Sequence, residues 1–262
     1  PSATKGLFMP SLTHSHLIGH RGARAEAPEN TLGGFEYLRN LGINKVELDV
    51  HLSQDLELVV IHDTDTLRTT GTQLEVALTA AADLAQLNAT FENKVLWNQV
   101  EPIPTLHQVL CVWENLEHIQ IEIKPLESPE LRVIMAHELL KHCQKLKLNE
   151  KTTVITSSDY DFLRTSKEIN PFPHGLVADH EIADIDNPIE VAQSSGCDLL
   201  VLHYVLYTED MAQACREANM PVSLWTVNDV QTANLMVERG AASIITDKPK
   251  AFQAWIVKNN LI

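Results

Sequence analysis

Nine short segments rich in valine, isoleucine and leucine recur along the chain: HLIGH, KVELDV, LELVVIH, HIQIEIK, TTVITS, HGLVAD, DLLVLH, VSLWTV and ASIITD. Between most of them run stretches of helical period, such as TLGGFEYLRNLG, ELRVIMAHELLKHCQKLKL and DVQTANLMVERG. Strands that are apolar nearly throughout are buried on both faces, and strands alternating with helices build parallel sheets. The pattern predicts repeated βα units around a parallel sheet, nine strand candidates for what would be eight positions if the sheet closes into a barrel. Gly196 and Gly240 stand where two of the helices should stop, since a left-handed residue commonly follows a helix C-terminus.

The ninth segment needs a different place. Only LSQD separates KVELDVH from LELVVIH, whereas a parallel crossover takes about a dozen residues or more. The two are expected to form an antiparallel excursion that leaves the barrel mouth and brings His62 back to it. From about residue 64 to 104 the chain is Ala-rich without a clear strand, as expected of a small insertion over one end of the barrel. No linker or change of composition marks a boundary elsewhere, so residues 1–262 are expected to form one domain.

Charge narrows the partners. Against 35 Asp and Glu stand 20 Lys and Arg, a net charge of −15, so the average surface repels polyanions and excludes nucleic acid as a general partner. No apolar run approaches the ~20 residues of a membrane span, and no stable membrane association is expected. The four cysteines, Cys111, Cys143, Cys197 and Cys215, are scattered and read as free thiols of a reducing compartment. A cytoplasmic protein is expected; the chain starts at Pro1 rather than Met, which leaves a removed signal segment open. The sequence leaves the oligomeric state open.

In VELDV, Glu47 and Asp49 are two apart on a strand and share one face. Two buried carboxylates without partners are costly, so they either hold a cation or end in salt bridges. An oxygen-only donor set suits Mg²⁺ or Ca²⁺ rather than zinc or copper. In IEIK, Glu122 and Lys124 repeat the spacing, which makes them an ion pair or a third metal oxygen beside a cation. His20 and Arg21 close the first strand, and His62 with Asp63 closes LVVIHD. In a barrel the C-terminal strand ends share the face that carries active sites. Two histidines, three carboxylates, an arginine and a lysine would then meet there, an inventory suited to a phosphodiester: cations for the phosphoryl oxygens and two groups for proton transfer. Asn30 is expected to cap the first helix. Trp225 either walls a pocket or joins the core. His203 stays unassigned, while His14, His16 and His107 read as surface or packing residues.

GHRGARAEAPENTLGGFE, VELDVHLSQDLELVVIHD, LRTTGT, IPTLHQVL, IEIKP, LWTVN and IITDKP, in this order, resemble the glycerophosphodiester phosphodiesterase family over about Leu17 to Pro249. The resemblance implies a TIM (β/α)8 barrel with a small inserted subdomain after the second strand. It implies one divalent cation, Mg²⁺ or Ca²⁺, held by Glu47, Asp49 and Glu122, acid/base work by His20 and His62, and phosphate contacts from Arg21 and Lys124. The implied substrate is a glycerophosphodiester, cleaved to sn-glycerol 3-phosphate and an alcohol; if Trp225 walls the pocket rather than joining the core, it does so at the glycerol. Within this resemblance a cyclising phospholyase acting on lysophospholipids is the alternative enzyme, and a silent phosphate- or partner-binding barrel the alternative without chemistry. Leu56 stands where the family commonly has glycine in the turn of the excursion, and the insertion is poor in glycine after RTT.

Overall fold

The computed structural model describes residues 10–93, 96–179 and 187–259. Eight parallel strands close into a barrel: β1 (Leu17–His20), β2 (Lys45–Leu52), β4 (His118–Ile123), β5 (Thr153–Ser157), β6 (His174–Ala178), β7 (Leu199–His203), β8 (Val222–Trp225) and β9 (Ser243–Thr246). Closure comes from β1, which pairs with both β2 and β9. Strand β3 (Leu58–Val60) runs antiparallel on β2, with His51 opposite Val59. The nine predicted strands are all present, and the short LSQD link is a hairpin as expected.

Around the barrel lie α1 (Leu32–Asn40), α5 (Pro129–Lys145), α6 (Tyr160–Ile169), α7 (Pro188–Ser194), α8 (Glu209–Glu217), α9 (Val230–Glu238) and α10 (Pro249–Lys258). Their apolar faces pack on the outward residues of the strands, such as Leu48, Ile121, Leu176 and Leu224, in one continuous core. Gly196 and Gly240 follow α7 and α9 with φ of +72° and +106°, the left-handed stops expected there. Between β3 and β4 come α2 (Leu67–Thr70), α3 (Ala81–Leu84) and α4 (Leu106–Leu110). Val76, Leu84, Ala89 and Ile103 of this stretch form a small core with Val59 and Ile61. Glu101 ties the insertion to α1, accepting hydrogen bonds from Gly33 N–H at 3.0 Å and Trp97 Nε1 at 3.0 Å. A Cβ on Gly33 would lie 2.1 Å from that carboxylate, so this contact requires glycine.

The hairpin turn carries a strained residue. Leu56 has φ +60° and is 44% exposed, so it bears the steric cost of the left-handed region with little burial in return. Leu56→Gly is expected to raise the unfolding free energy by about 0.5–1 kcal/mol, seen as a higher urea midpoint at unchanged slope.

A second expectation concerns acid. His174 is fully buried, its Nδ1 donating to Phe172 O at 2.8 Å and its Nε2 accepting from Ser166 Oγ at 2.8 Å. Burial lowers its pKa to about 4, against a smaller opposing effect of the Phe172 carbonyl. Between that value and about 6.5 the unfolded chain binds a proton that the folded one does not. Stability is therefore full above that window and falls as pH drops through it, by up to about 3 kcal/mol from this residue. His118, lowered to about 4 by burial and then by Lys45, steepens the same slope. His174→Gln should flatten the dependence of unfolding free energy on pH by nearly one proton.

Candidate active site

Register builds the site. On β2 and β4, Glu47 lies opposite Gln120 and Asp49 opposite Glu122, while His20 on β1 lies opposite Glu47. Alternation on each strand turns these residues inward. An open cleft of about 420 Å³ at the C-terminal strand ends is lined by His20, Arg21, Glu47, His62, Glu122, Lys124 and Trp225. Asp49 touches Arg21 and Lys124 of this lining and is itself 1% exposed. The eight candidate residues thus converge. Opposite them, Val177, Val201 and Ile245 from β6, β7 and β9 present an apolar wall. Trp225 packs on that wall, donates from Nε1 to Val201 O at 3.2 Å, and meets His203 edge-on at 5.2 Å. One half of the cleft is ionic and the other apolar.

The turn after β1 explains the HRG sequence. Arg21 has φ +49° and Gly22 φ +90°. Two consecutive left-handed residues reverse the chain at once, and the strain at Arg21 is stored beside the cleft. The reversal aims the Arg21 N–H at Glu47 Oε2, 3.2 Å away. Its guanidinium lies 3.2 Å from Asp49 Oδ2 through Nε and 3.0 Å from Glu29 Oε1 through NH1.

Glu47, Asp49 and Glu122 each place an oxygen within 4.8 Å of the others. Lys124 Nζ bridges two of them, 2.6 Å from Glu122 and 2.8 Å from Asp49. Both readings of these residues are therefore realised: salt bridges form, and the carboxylates still converge. Burial alone would raise the Asp49 pKa, but Lys124 and Arg21 outweigh it and hold the carboxylate ionised. Glu47 is the odd one out. Burial first, then repulsion by Asp49 and Glu122, pushes its carboxyl well above the usual range, and its Oε1 has no hydrogen-bond partner among the described residues. An unpartnered buried oxygen within a trio of carboxylates fits a hard cation. The three residues could hold one; its identity is not fixed by them.

Each histidine has a carboxylate behind it. His20 donates from Nδ1 to Asp247 Oδ1 at 2.6 Å, which leaves Nε2 on the cleft side, 3.8 Å from Glu47 Oε2. Asp247 is fixed in turn by Asn228 Nδ2 at 2.7 Å. Burial would raise its pKa, but the bonds from His20 and Asn228 bring it below the ordinary value. His62 donates from Nδ1 to Asp63 Oδ1 at 2.7 Å, leaving its own Nε2. Burial lowers the His62 pKa, Asp49 opposes this, and Lys124 and Arg21 add to it. A histidine oriented through one nitrogen and open at the other can accept or give a proton.

Asn30 corrects an expectation. It has φ +53° and does not cap α1; Thr31 does, its Oγ1 accepting from Gly34 N–H at 3.0 Å. Asn30 instead donates from Nδ2 to Asp49 Oδ2 at 2.9 Å. Asp247, Asn228, Glu29 and Arg68 were not singled out from sequence, although DKP, PENT and LRTT are among the segments that carry the resemblance.

Residues 20–251 match the Glycerophosphoryl diester phosphodiesterase family. A glycerophosphodiester phosphodiesterase of Caldanaerobacter subterraneus subsp. tengcongensis is 29% identical over 89% of this chain and 94% of its own. A putative glycerophosphoryl diester phosphodiesterase from Silicibacter pomeroyi superposes with a TM-score of 0.84 at 22% identity, covering 96% of this chain and 95% of that one. An Oleispira antarctica phosphodiesterase, solved in complex with the product sn-glycerol-3-phosphate, superposes with a TM-score of 0.83 at 26% identity, covering 95% and 98%. With a family match from the end of β1 into α10, on an eight-stranded barrel extended by β3, this chain belongs to the glycerophosphodiester phosphodiesterase family of hydrolases.

Proposed function

We propose that the protein hydrolyses glycerophosphodiesters to sn-glycerol 3-phosphate and the head-group alcohol. The observation that carries this reading is the pair of oriented histidines beside the acidic trio, His20 on Asp247 and His62 on Asp63. Glu47, Asp49 and Glu122 would hold one divalent cation, Mg²⁺ or Ca²⁺, which when bound neutralises charge on a phosphoryl oxygen. Arg21 and Lys124 supply fixed positive charge for the same phosphate. One histidine takes a proton from water or from a glycerol hydroxyl, and the other gives one to the departing alcohol oxygen. The apolar wall with Trp225 receives the carbon skeleton of the glycerol. The oxygen ligands and the net charge of −15 favour a small soluble diester over a polyanion.

The test is release of sn-glycerol 3-phosphate from glycerophosphocholine and glycerophosphoethanolamine, with added Mg²⁺ or Ca²⁺ and again with chelator. Release that needs the ion is expected. Accumulation of a stable cyclic phosphate, seen by phosphorus NMR, would replace hydrolysis with the cyclising reaction. No turnover of any diester with either ion would leave a binding barrel instead.

A further inference from the structure

Arg68 belongs to α2 of the insertion, yet it makes the densest set of polar contacts near the cleft. Its Nε donates to Asp63 Oδ2 at 2.8 Å and its NH2 to Asp63 Oδ1 at 3.0 Å. Its NH2 and NH1 also donate to Glu29 Oε1 and Oε2 at 2.8 and 2.9 Å, and NH1 reaches Glu92 Oε2 at 2.8 Å. All five N–H groups of the guanidinium are thereby used. Glu29 is equally full: besides Arg68 it accepts from Arg21 NH1 at 3.0 Å and Arg24 Nε at 3.0 Å. Burial would raise its pKa, but the three arginines bring it down to about 2.

The two carboxylates that share Arg68 are those that orient one histidine and the arginine of the cleft. Asp63 accepts a hydrogen bond from His62 Nδ1 and Glu29 one from Arg21 NH1. From this interlocked geometry we infer that Arg68 is a positioning residue, which fixes His62 through Asp63 and Arg21 through Glu29 in one rigid fork. Through Arg68 the insertion sets the direction of one proton-transferring ring and one phosphate-facing cation together. Lysine cannot replace it, since an ammonium lacks the planar fork that spans two carboxylates.

The inference rests on the proposed hydrolysis for its rate consequence, but not for its structural one. The charged and titratable groups facing His62 are Asp63, Asp49, Lys124 and Arg21, with His51 Nε2 bonded to the His62 carbonyl at 2.9 Å. Removing Arg68 frees the Asp63 carboxylate that accepts the His62 Nδ1–H. In Arg68→Met, the ring-nitrogen signals of His62, read by NMR on folded protein at one pH, should therefore change from one fixed Nδ1–H tautomer to an average of two. A merely structural link between insertion and barrel would lower the melting temperature and leave these signals as in the wild type. On the rate, Arg68→Met and Arg68→Lys should each lower kcat by about 10–100-fold with a smaller change in KM, as for other outer partners of a reacting centre. Arg68→Met combined with Asp63→Asn should cost little more than Arg68→Met alone, because Asp63→Asn breaks one of the two chains that Arg68→Met already breaks. Unchanged His62 ring-nitrogen signals in Arg68→Met, or losses that multiply in the double variant, would overturn the inference. Failure of the wild type to turn over any diester bears on the proposed function only, and the ring-nitrogen signals still decide the role of Arg68.

Discussion

His20→Ala is expected to lower kcat for release of sn-glycerol 3-phosphate by about a thousandfold, within the range that one positioned acid or base contributes. The ring is held where this matters. Its side chain is 9% exposed, Nδ1 is committed to Asp247, and Nε2 is the only nitrogen left for chemistry. Alanine removes the proton carrier while leaving the acidic trio and Lys124 in place, so KM should change far less than kcat. Asp247→Asn makes a sharper companion, since an amide can present a donor to Nδ1 and so favour the wrong tautomer. A loss of about a hundredfold or more is expected from it. Undiminished turnover in His20→Ala would remove His20 from the mechanism. An effect confined to KM would assign it to binding instead.

The distance between these partners explains what was legible in the sequence. Glu47, Asp49, Glu122 and Lys124 could be grouped because a strand returns to the same face every second residue, so spacing alone fixes direction. The hairpin followed just as directly from a link too short for a crossover. Asp247 lies 227 positions from His20, and only barrel closure through β1 and β9 brings them together. No local spacing records such a contact. Arg68 was hidden for a related reason: the insertion has short helices and a small core of its own, which say nothing about where a single arginine points. Adjacent Asn and Thr both favour helix caps, so residue type alone does not tell Asn30 from Thr31. The choice fell to Thr31 because Asn30 takes a left-handed conformation to reach Asp49.

Glu47→Gln is expected to abolish turnover and, at the same time, to stabilise the ion-free protein at neutral pH. Both effects follow from one oxygen. Ion-free, the Glu47 carboxyl is buried beside Asp49 and Glu122, its pKa is raised, and Oε1 is unpartnered. In the unfolded chain the same group ionises near 4.5. Stability is therefore greatest, as far as this residue is concerned, below that value and falls as pH rises toward the folded pKa. Glutamine has no proton to lose, so the variant should escape this decline and melt above the wild type at pH 7. Divalent ion reverses the order. In the wild type it favours the ionised form of Glu47, so binding should raise the melting temperature and release a proton. In Glu47→Gln both the ion-dependent rise and the proton release should be lost or sharply reduced, because one of three charged ligands is gone. Melting curves with Mg²⁺ or Ca²⁺, together with calorimetry in two buffers of different ionisation enthalpy, read this without any substrate. An ion-dependent rise that is the same in both proteins would place the cation elsewhere than at Glu47. A variant less stable than the ion-free wild type at pH 7 would mean that Glu47 is not held in the repulsive setting its neighbours create, since the trade between stability and function at such a site runs in the opposite direction.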